Sequence, residues 1–245
     1  MLPPIARVLW APKEGNADAQ YEDAYATTFD SAAGDRFTAA LADGASSAVF
    51  AREWAHLLVA RFAGDNPIPA PRTTAEATEV LSDLGAVWRA AVEGKATSWY
   101  AQEKLPQGSS AALLVIDWDA AARTWTAASV GDVCVFLVRE NKLKYAFPIT
   151  KSTRFDDRPA LLSTEVSRGA ALPPFTRFGA TFLPGDRFLL MSDAVAAYFL
   201  AEWEAKRKPW NDLPSDQSGF PAWLKARRDS GKLKNDDVTV LDVTL

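Results

Sequence analysis

The sequence has few of the features that mark secreted or membrane proteins. It contains one cysteine, Cys134, among 245 residues, which excludes an intramolecular disulfide and fits a reducing cytoplasm. No uncharged apolar segment approaches the roughly 18 residues that a membrane helix needs, and the N-terminus lacks the long apolar stretch of a signal peptide. We therefore expect a soluble cytoplasmic protein without a membrane partner.

An excess of basic residues is also absent. The chain has 27 Lys and Arg against 31 Asp and Glu, a net charge of −4, and the two signs are interspersed. Because duplex nucleic acid favours a basic face that displaces counterions from phosphates, we expect no nucleic-acid partner. A phosphorylated substrate is compatible with this charge, since bound metal ions can supply positive charge locally.

What is present is the composition of an ordinary globular protein, with 48% hydrophobic and 24% charged residues. Neither an internal repeat nor a linker long enough to separate two domains is visible. We therefore predict one domain over residues 1–245. The polar stretch from Lys151 to Phe178 is rich in Pro and Arg and is predicted to be a flap or long surface loop.

Strands and helices are predicted in blocks rather than in strict alternation. Strands are predicted at 23–29, 36–43, 109–118, 123–131, 133–139, 142–148, 187–191 and 237–245. The four strands between 109 and 148 are predicted to form one antiparallel meander. Helices are predicted after residue 48, from about Thr73, and around 194–203 and 222–228. This order predicts an α+β fold, a four-layer α-β-β-α sandwich in which two antiparallel sheets pack together between helices.

Acidic residues stand where predicted strands meet loops. Asp43 ends one strand and Asp193 follows another, whereas Asp236 precedes a third and Glu22-Asp23 begin a fourth. Acids at strand ends can converge on one rim of a sheet, while acids in mid-strand would be buried at high cost. Clustered carboxylates repel one another unless cations lie between them, and Mg²⁺ and Mn²⁺ prefer oxygen ligands. Two such ions roughly 3.5–4 Å apart can acidify a water and polarise a phosphoryl oxygen.

The acids alone leave other roles open. Asp193 can be the N-cap of the helix that follows it, and Asp236 can be a solvated turn residue. Acids at junctions are more often caps or turn residues than metal ligands, so the neighbouring residues have to decide.

Six short segments carry a more specific pattern. They are YEDAY (21–25), ALADGASSA (40–48), GSSAALLV (108–115), ASVGDVCVFLVR (128–139), FLLMSDAV (188–195) and NDDVTVLDV (235–243). In this order they resemble the Glu-Asp, Asp-Gly, Gly-Ser-Thr-Ala, Gly-Asp-Ser-Arg, Ser-Asp-Gly and Asp-Asn-hydrophobic-Thr motifs of the protein phosphatase 2C family of metal-dependent Ser/Thr protein phosphatases. The set spans nearly the whole chain, which thus resembles a divergent, bacterial-type member.

The resemblance implies metal ligands. Asp43 is expected to bridge two Mn²⁺ or Mg²⁺ ions. Glu22 and the backbone carbonyl of Gly44 are expected to complete one ion, with waters in the other positions. Asp193 and Asp236 are expected to hold the second ion. At Gly44 a side chain would hinder close approach of an ion to the backbone.

The resemblance also implies catalytic roles. Asp43, Asp193 and Asp236 are expected to act through the metals, and Asp23 to orient a metal-bound water. Asp132 matches one ligand of a third metal site found in some members. Ala197 stands where the second acid of that site would be, so only a weak third site is expected.

The chain departs from the family in other places. The Arg that usually precedes the Glu-Asp pair and grips phosphate bidentately is missing. Cations that could replace it are Lys13, Arg36, Lys151, Arg154 and Arg158. The single histidine, His56, lies inside a predicted helix and is assigned no catalysis, although some members use a His as general acid. Ala194 replaces the Gly of the Ser-Asp-Gly motif, which would strain the backbone only at a positive φ.

The resemblance implies hydrolysis of phosphoserine and phosphothreonine monoesters, with a phosphorylated protein as substrate and a water that bridges two cations as nucleophile. The missing Arg and His leave an alternative, a catalytically weak phosphatase-like module that binds a phosphorylated or protein partner. A third hypothesis keeps the metals and takes a small phosphorylated molecule as substrate.

Overall fold

The computed structural model describes residues 5–30, 35–95, 98–155, 158–166 and 172–245. Its strands are β1 (Ile5–Ala11), β2 (Ala24–Asp30), β3 (Arg36–Gly44), β4 (Ser110–Asp119), β5 (Thr124–Val130), β6 (Cys134–Arg139), β7 (Lys142–Phe147), β8 (Leu162–Ser163), β9 (Thr176–Thr181), β10 (Arg187–Met191) and β11 (Val238–Thr244). Its helices are α1 (Ala51–Ala63), α2 (Thr74–Val92), α3 (Trp99–Lys104), α4 (Asp193–Glu204) and α5 (Phe220–Asp229). None of these helices has both the length and the apolar character needed to cross a membrane.

The strands form two antiparallel sheets. The first sheet has the order β1-β11-β10-β6-β7, and the second has the order β2-β3-β4-β5-β9, with β8 pairing to β4. The first and last strands of the chain are neighbours, since Ile5 pairs with Thr244 and Ala11 with Val238. The N-terminal segment is thereby carried to the beginning of β11, close to the acids that precede it.

Three hydrophobic clusters separate four layers. Between the sheets, Trp118 from the second sheet packs edge-on against Phe188 from the first. Outside the first sheet, the buried side of α4 includes Phe199. Outside the second sheet, α1 and α2 bury Trp54 and Trp88. The predicted α+β architecture, a four-layer α-β-β-α sandwich, is confirmed.

The two long helices form where the sequence predicts them. The stripe that α1 presents to the second sheet is buried throughout and consists of Ala51, Trp54, Ala55, Leu58 and Phe62. Thr73 caps α2, because its side chain accepts a hydrogen bond from the Glu76 backbone N–H at 3.2 Å. The Glu76 carboxylate accepts from the N–H of Arg72 at 2.7 Å instead of that of Thr73. Thr73 thus caps the helix that was predicted to start near it, whereas the second bond of a capping box, from the Glu76 side chain back to the chain, is displaced by one residue.

The prediction of one meander between residues 109 and 148 was wrong. The strands do form two hairpins, but β4 and β5 belong to the second sheet and β6 and β7 to the first. The chain changes sheets at Gly131, which has φ +95°. A Cβ there would lie 2.5 Å from the Cβ of Ala112 and 2.9 Å from the carbonyl oxygen of Ala160, so only glycine fits this crossing. Alternating patterns indicate local pairing and do not reveal which sheet a hairpin joins.

The predicted flap at 151–178 contains regular structure at several points. β8 pairs with β4, and β9, which begins at Thr176, pairs with β5. Ser152 is attached to α4 because its backbone N–H and its hydroxyl donate to the Glu204 carboxylate at 2.9 and 2.5 Å. The predicted flap also includes residues 156–157 and 167–171, which lie outside the described residues. Within the described residues, sequence patterns did not predict β1, α3, β8 and β9.

Candidate metal centre

Acidic side chains from both sheets meet at one cavity of about 470 Å³. Asp43 is the next-to-last residue of β3, and Asp132 lies between β5 and β6. Asp193 is the first residue of α4, shortly after β10, and Asp236 lies shortly before β11. The predicted convergence of Asp43, Asp193 and Asp236 on one rim is therefore present. Each of these acids sits just beyond a well-packed strand, so the two sheets fix their positions.

The acids of the cavity act on one another. Burial raises the pKa of Asp43 well above its ordinary value, and the charges of Asp23 and Asp193 raise it further. Burial also raises the pKa of Asp193, with a further contribution from Asp236. The two shifts have the same main cause, because burial disfavours the charged form of each carboxyl group.

Glu22 does not line the cavity itself. Its side chain interacts with Ser46, which does. Burial, together with the charges of Asp237 and Asp236, raises the pKa of Glu22 to about 7. A Cβ on Gly44 would lie 2.7 Å from the Glu22 carbonyl oxygen. Gly44 is therefore required by close backbone packing, a reason that the sequence did not indicate.

Asp23 differs from the other acids in being fully buried. The Thr239 hydroxyl donates to Asp23 Oδ2 at 2.6 Å, and the Tyr21 hydroxyl in turn donates to Thr239. Asp23 Oδ1 has no hydrogen-bond partner within the described residues. Burial raises the pKa of Asp23 well above its ordinary value. Asp23 lines a second cavity rather than the one around Asp43. Its negative charge nevertheless raises the pKa of Asp43.

The adjacent acids Asp236 and Asp237 have separate tasks. Asp237 accepts from the backbone N–H groups of Lys13 at 2.7 Å and of Glu22 at 2.6 Å, so it ties the N-terminal segment to the start of β11. Asp236 faces the cavity. The prediction of Asp236 rather than Asp237 as the cavity acid agrees with this arrangement.

The beginning of α4 settles two questions that the sequence left open. Ser192 is the N-cap residue and Asp193 is the first helical residue, so the alternative that Asp193 is the N-cap was wrong. Ala194 has helical backbone and replaces glycine without strain. Ala197 lies one turn beyond Asp193 on the same side of α4, so the predicted third site receives no carboxylate from this position.

Two cationic side chains line the acidic cavity, Arg158 and Lys234. Arg158 is one of the five cations predicted as substitutes for the missing Arg, whereas Arg36, another of them, pairs with Asp119 at 3.4 Å. Lys234 was not predicted, although it stands two residues before Asp236. His56 lies in α1 and lines the second cavity.

The donor set fits hard divalent cations. The cavity offers carboxylate oxygens, which Mg²⁺ and Mn²⁺ prefer, and it is also lined by Gly44, whose carbonyl is the expected backbone ligand. Within the described ranges, no three His, Cys, Asp or Glu side chains are grouped so that they could hold an ion by themselves. Protein-bound Mg²⁺ usually keeps several waters and takes one or two carboxylates. The acids of the cavity therefore suit ions that retain part of their water.

Comparison with solved structures shows the same fold in bacterial and photosynthetic phosphatases. Serine/threonine phosphatase Stp1 from Staphylococcus aureus matches with a TM-score of 0.63 at 12% identity, over 99% of this chain and 95% of that one. Serine/threonine phosphatase PstP/Ppp of Mycobacterium tuberculosis matches with a TM-score of 0.61 at 19% identity, over 99% and 98%. The photosystem II phosphatase PBCP matches with a TM-score of 0.60 at 17% identity, over 99% and 98%.

The sequence itself identifies the family. A search of curated protein sequences gives no match. The profile described as protein phosphatase 2C matches residues 15–230, which include Asp43, Asp132 and Asp193 of the cavity and the whole second sheet. Together with the fold, this match establishes that the chain belongs to the protein phosphatase 2C family.

Proposed function

We propose that the chain, acting as one catalytic domain, is a Mn²⁺- or Mg²⁺-dependent phosphatase that hydrolyses phosphoserine and phosphothreonine monoesters of proteins. The observation that carries the proposal is the cavity in which four carboxylates meet two cationic side chains. Added cations would balance this excess of negative charge. A PstP catalytic domain of similar fold, 18% identical with a TM-score of 0.59 over 98% of both chains, was solved in complex with two manganese ions. Cys134 is free and buried, which fits the cytoplasm as the proposed location.

The residues that would hold the ions are those of the acidic rim. Asp43 is central, because its charge interacts with every other acid of the cavity. Glu22 and the Gly44 carbonyl would serve one ion, and Asp193 and Asp236 the other. When bound, such ions activate water as a nucleophile and stabilise the charge on a transferring phosphoryl group.

Other side chains would act on the substrate and on water. Arg158 lines the cavity and would bind the phosphate of the substrate, since a guanidinium can donate two parallel hydrogen bonds to it. Asp23, which Thr239 holds, would help to orient the attacking water through Asp43, because its charge acts on Asp43. Arg158 would thus take over the role of the Arg that is missing before Glu22.

The test measures turnover of para-nitrophenyl phosphate and of a phosphothreonine peptide after metal removal with a chelator. We expect activity to return when Mn²⁺ or Mg²⁺ is added, and to fall more than about 100-fold in Asp193→Asn, because losing a ligand should exceed the 10–100-fold typical of outer-shell partners. Asp229→Asn, an exposed acid paired with Lys225 at 2.9 Å, is the control and should keep full activity. Metal-independent turnover would contradict the mechanism.

Arg158→Ala tests the proposed phosphate contact. We expect an increase in KM for both substrates, with a smaller decrease in kcat, because the side chain would bind phosphate in the ground state and in the transition state. Unchanged KM and kcat would show that the phosphate is held by other groups.

One observation favours the alternative of a catalytically weak binding module. The single histidine of the sequence lies at the second cavity, so the acidic cavity has no imidazole to protonate a leaving group. A binding module would retain a phosphothreonine peptide in equilibrium binding while showing no turnover with any divalent metal. The proposed enzyme would release inorganic phosphate under the same conditions.

A further inference from the structure

The acidic cavity contains a cation that belongs to the chain. The ammonium group of Lys234 lies 3.1 Å from Asp236 Oδ2 and 4.0 Å from Asp193 Oδ2. These two acids are the pair proposed to hold the second metal ion. Lys234 therefore stands at the position where added positive charge is expected to bind.

The backbone on both sides of Lys234 is anchored. Leu233 is buried, and its N–H bonds to the Arg227 carbonyl at 3.3 Å. The Asn235 side chain accepts from the Glu14 N–H at 2.7 Å and donates to the Glu14 carbonyl at 3.3 Å. These contacts keep the Cα of Lys234 beside the rim.

The Lys234 side chain itself has room to move. It is 60% exposed, and a lysine ammonium sits on a flexible four-carbon stem. The group can therefore point to the acids or to solvent while the backbone stays in place. The anchored backbone keeps Lys234 next to the cavity, while the side chain allows its ammonium to move away from Asp193 and Asp236.

We propose that Lys234 is a built-in counterion that occupies the neighbourhood of Asp193 and Asp236 until a divalent cation displaces it. This inference rests on the proposed function. An ammonium group and a divalent cation repel each other at contact distance, so they cannot both contact the same two carboxylates without loss of affinity. Lys234 thereby stabilises the metal-free protein and weakens binding of the ion held by Asp193 and Asp236.

The test is a calorimetric titration of Mn²⁺ into the metal-free full chain, comparing the wild type with Lys234→Gln. We expect Lys234→Gln to bind the weaker of two Mn²⁺ ions about five-fold more tightly, the effect of a largely exposed charge pair. Lys232→Gln is the matched control. Lys232 stands two residues before Lys234, and its ammonium lies 3.4 Å from Glu202 instead of the cavity acids. The Lys232→Gln variant removes the same charge and should change the Kd for Mn²⁺ less than two-fold.

Three further readouts separate a counterion from a merely structural residue. Lys234→Arg keeps the charge and should retain wild-type affinity for Mn²⁺. The difference between wild type and Lys234→Gln should also shrink as NaCl is raised, because salt screens an exposed charge. The metal-free protein should have a lower Tm in Lys234→Gln than in the wild type.

The outcomes distinguish the inference from the proposed function. If the wild type binds no Mn²⁺, the proposed function fails and the inference fails with it. If the wild type binds Mn²⁺ and Lys234→Gln binds it with the same or weaker affinity, the inference alone is wrong. A higher KM for para-nitrophenyl phosphate in Lys234→Gln with unchanged Mn²⁺ affinity would identify Lys234 as a phosphate ligand and likewise overturn the inference.

Discussion

β10 and β11 have acidic residues at both of their ends, and the two ends neutralise them in different ways. At the end away from the cavity, Asp242 is 4% exposed and accepts from Arg7 and Arg187, with its closest ion pairs at 2.6 and 2.8 Å. Asp186 beside it is paired bidentately with Arg139 at 2.7 and 2.6 Å. Both of these aspartates face guanidiniums.

At the cavity end the same strands lead to acids that face other acids. Asp193 follows β10, Asp236 precedes β11, and both lie near Asp43, whose pKa is raised by burial and then by neighbouring carboxylates. Lys234 lies 3.1 and 4.0 Å from two of them, and Arg158 also lines the cavity. The Lys234 side chain is 60% exposed, whereas the guanidiniums of the opposite end are held in close ion pairs.

Crowded acids are therefore a feature of the cavity end and not of both ends of these strands. The chain neutralises buried acids with arginine where it needs only stability, because removing one partner of a buried pair leaves an uncompensated charge. At the cavity end the acids have mainly other acids as neighbours. This crowding fits the proposal that cations from outside the chain bind there.

The largest expected effect is at the paired end. Asp242→Asn should lower the free energy of unfolding by about 3 kcal/mol, since it leaves Arg7 and Arg187 without their shared carboxylate. Urea denaturation of the metal-free protein measures this change. A loss below about 1 kcal/mol would mean that the paired end contributes no more than surface ion pairs, and the contrast between the ends would disappear.

A smaller effect is expected at Thr239, the hydroxyl donor to the buried Asp23. Thr239→Val should cost about 1–3 kcal/mol, because the variant keeps the shape and leaves a buried acceptor without its donor. Urea denaturation compares it with Thr126→Val on the exposed side of β5, which should change stability by less than about 0.5 kcal/mol. Equal stability of the two variants would contradict the assigned bond.

The crowded end should make the metal-free protein more stable in mild acid. Between the ordinary pKa of Glu22 near 4.5 and its raised pKa of about 7, the folded state keeps a proton that the unfolded chain has lost. The free energy of unfolding therefore decreases as pH rises through this window. We expect Glu22 to contribute on the order of 1 kcal/mol between pH 5.5 and about 7.5 after allowance for solvent screening.

Comparing Glu22→Gln with the wild type isolates that contribution from other groups, including His56. Thermal unfolding in the presence of chelator should show a smaller pH dependence in the variant. Identical pH profiles would mean that Glu22 titrates normally in the folded protein.

The smallest effect is expected from Asp193→Asn without metal. Removing one charge from the crowded end relieves repulsion, so the metal-free protein should keep or gain stability by up to about 1 kcal/mol. Its increase in Tm on adding Mn²⁺ should be lost, since binding stabilises only a protein that retains the site. Destabilisation comparable to that of Asp242→Asn would show that the two ends are alike.

Much of the fold was predictable because its patterns are local. Residue spacing predicts the buried stripe of α1. The change from apolar to turn residues predicts the strand β3 with Asp43 near its end. The choice of sheet for each hairpin was not predictable, since it depends on Gly131 fitting against Ala112 and Ala160. Such a contact joins residues that are distant in sequence.

The acids of the site were predictable from their motifs, whereas their surroundings were not. Asp43, Asp193 and Asp236 were chosen correctly as residues of one rim. The role of Asp237 as an anchor for Glu22 and the approach of Lys234 to Asp236 depend on where the N-terminal segment and the loop before β11 run. No local pattern encodes these paths.

The most direct test of the account is anomalous diffraction from crystals soaked in Mn²⁺. We expect two peaks at the cavity, roughly 4 Å apart, with Asp43 between them. Asp193 and Asp236 should lie beside one of the peaks, and the Lys234 ammonium should have moved away from that peak. Absence of any peak at the cavity, or Mn²⁺ bound only elsewhere on the surface, would contradict the claim that these acids are held together in order to bind cations.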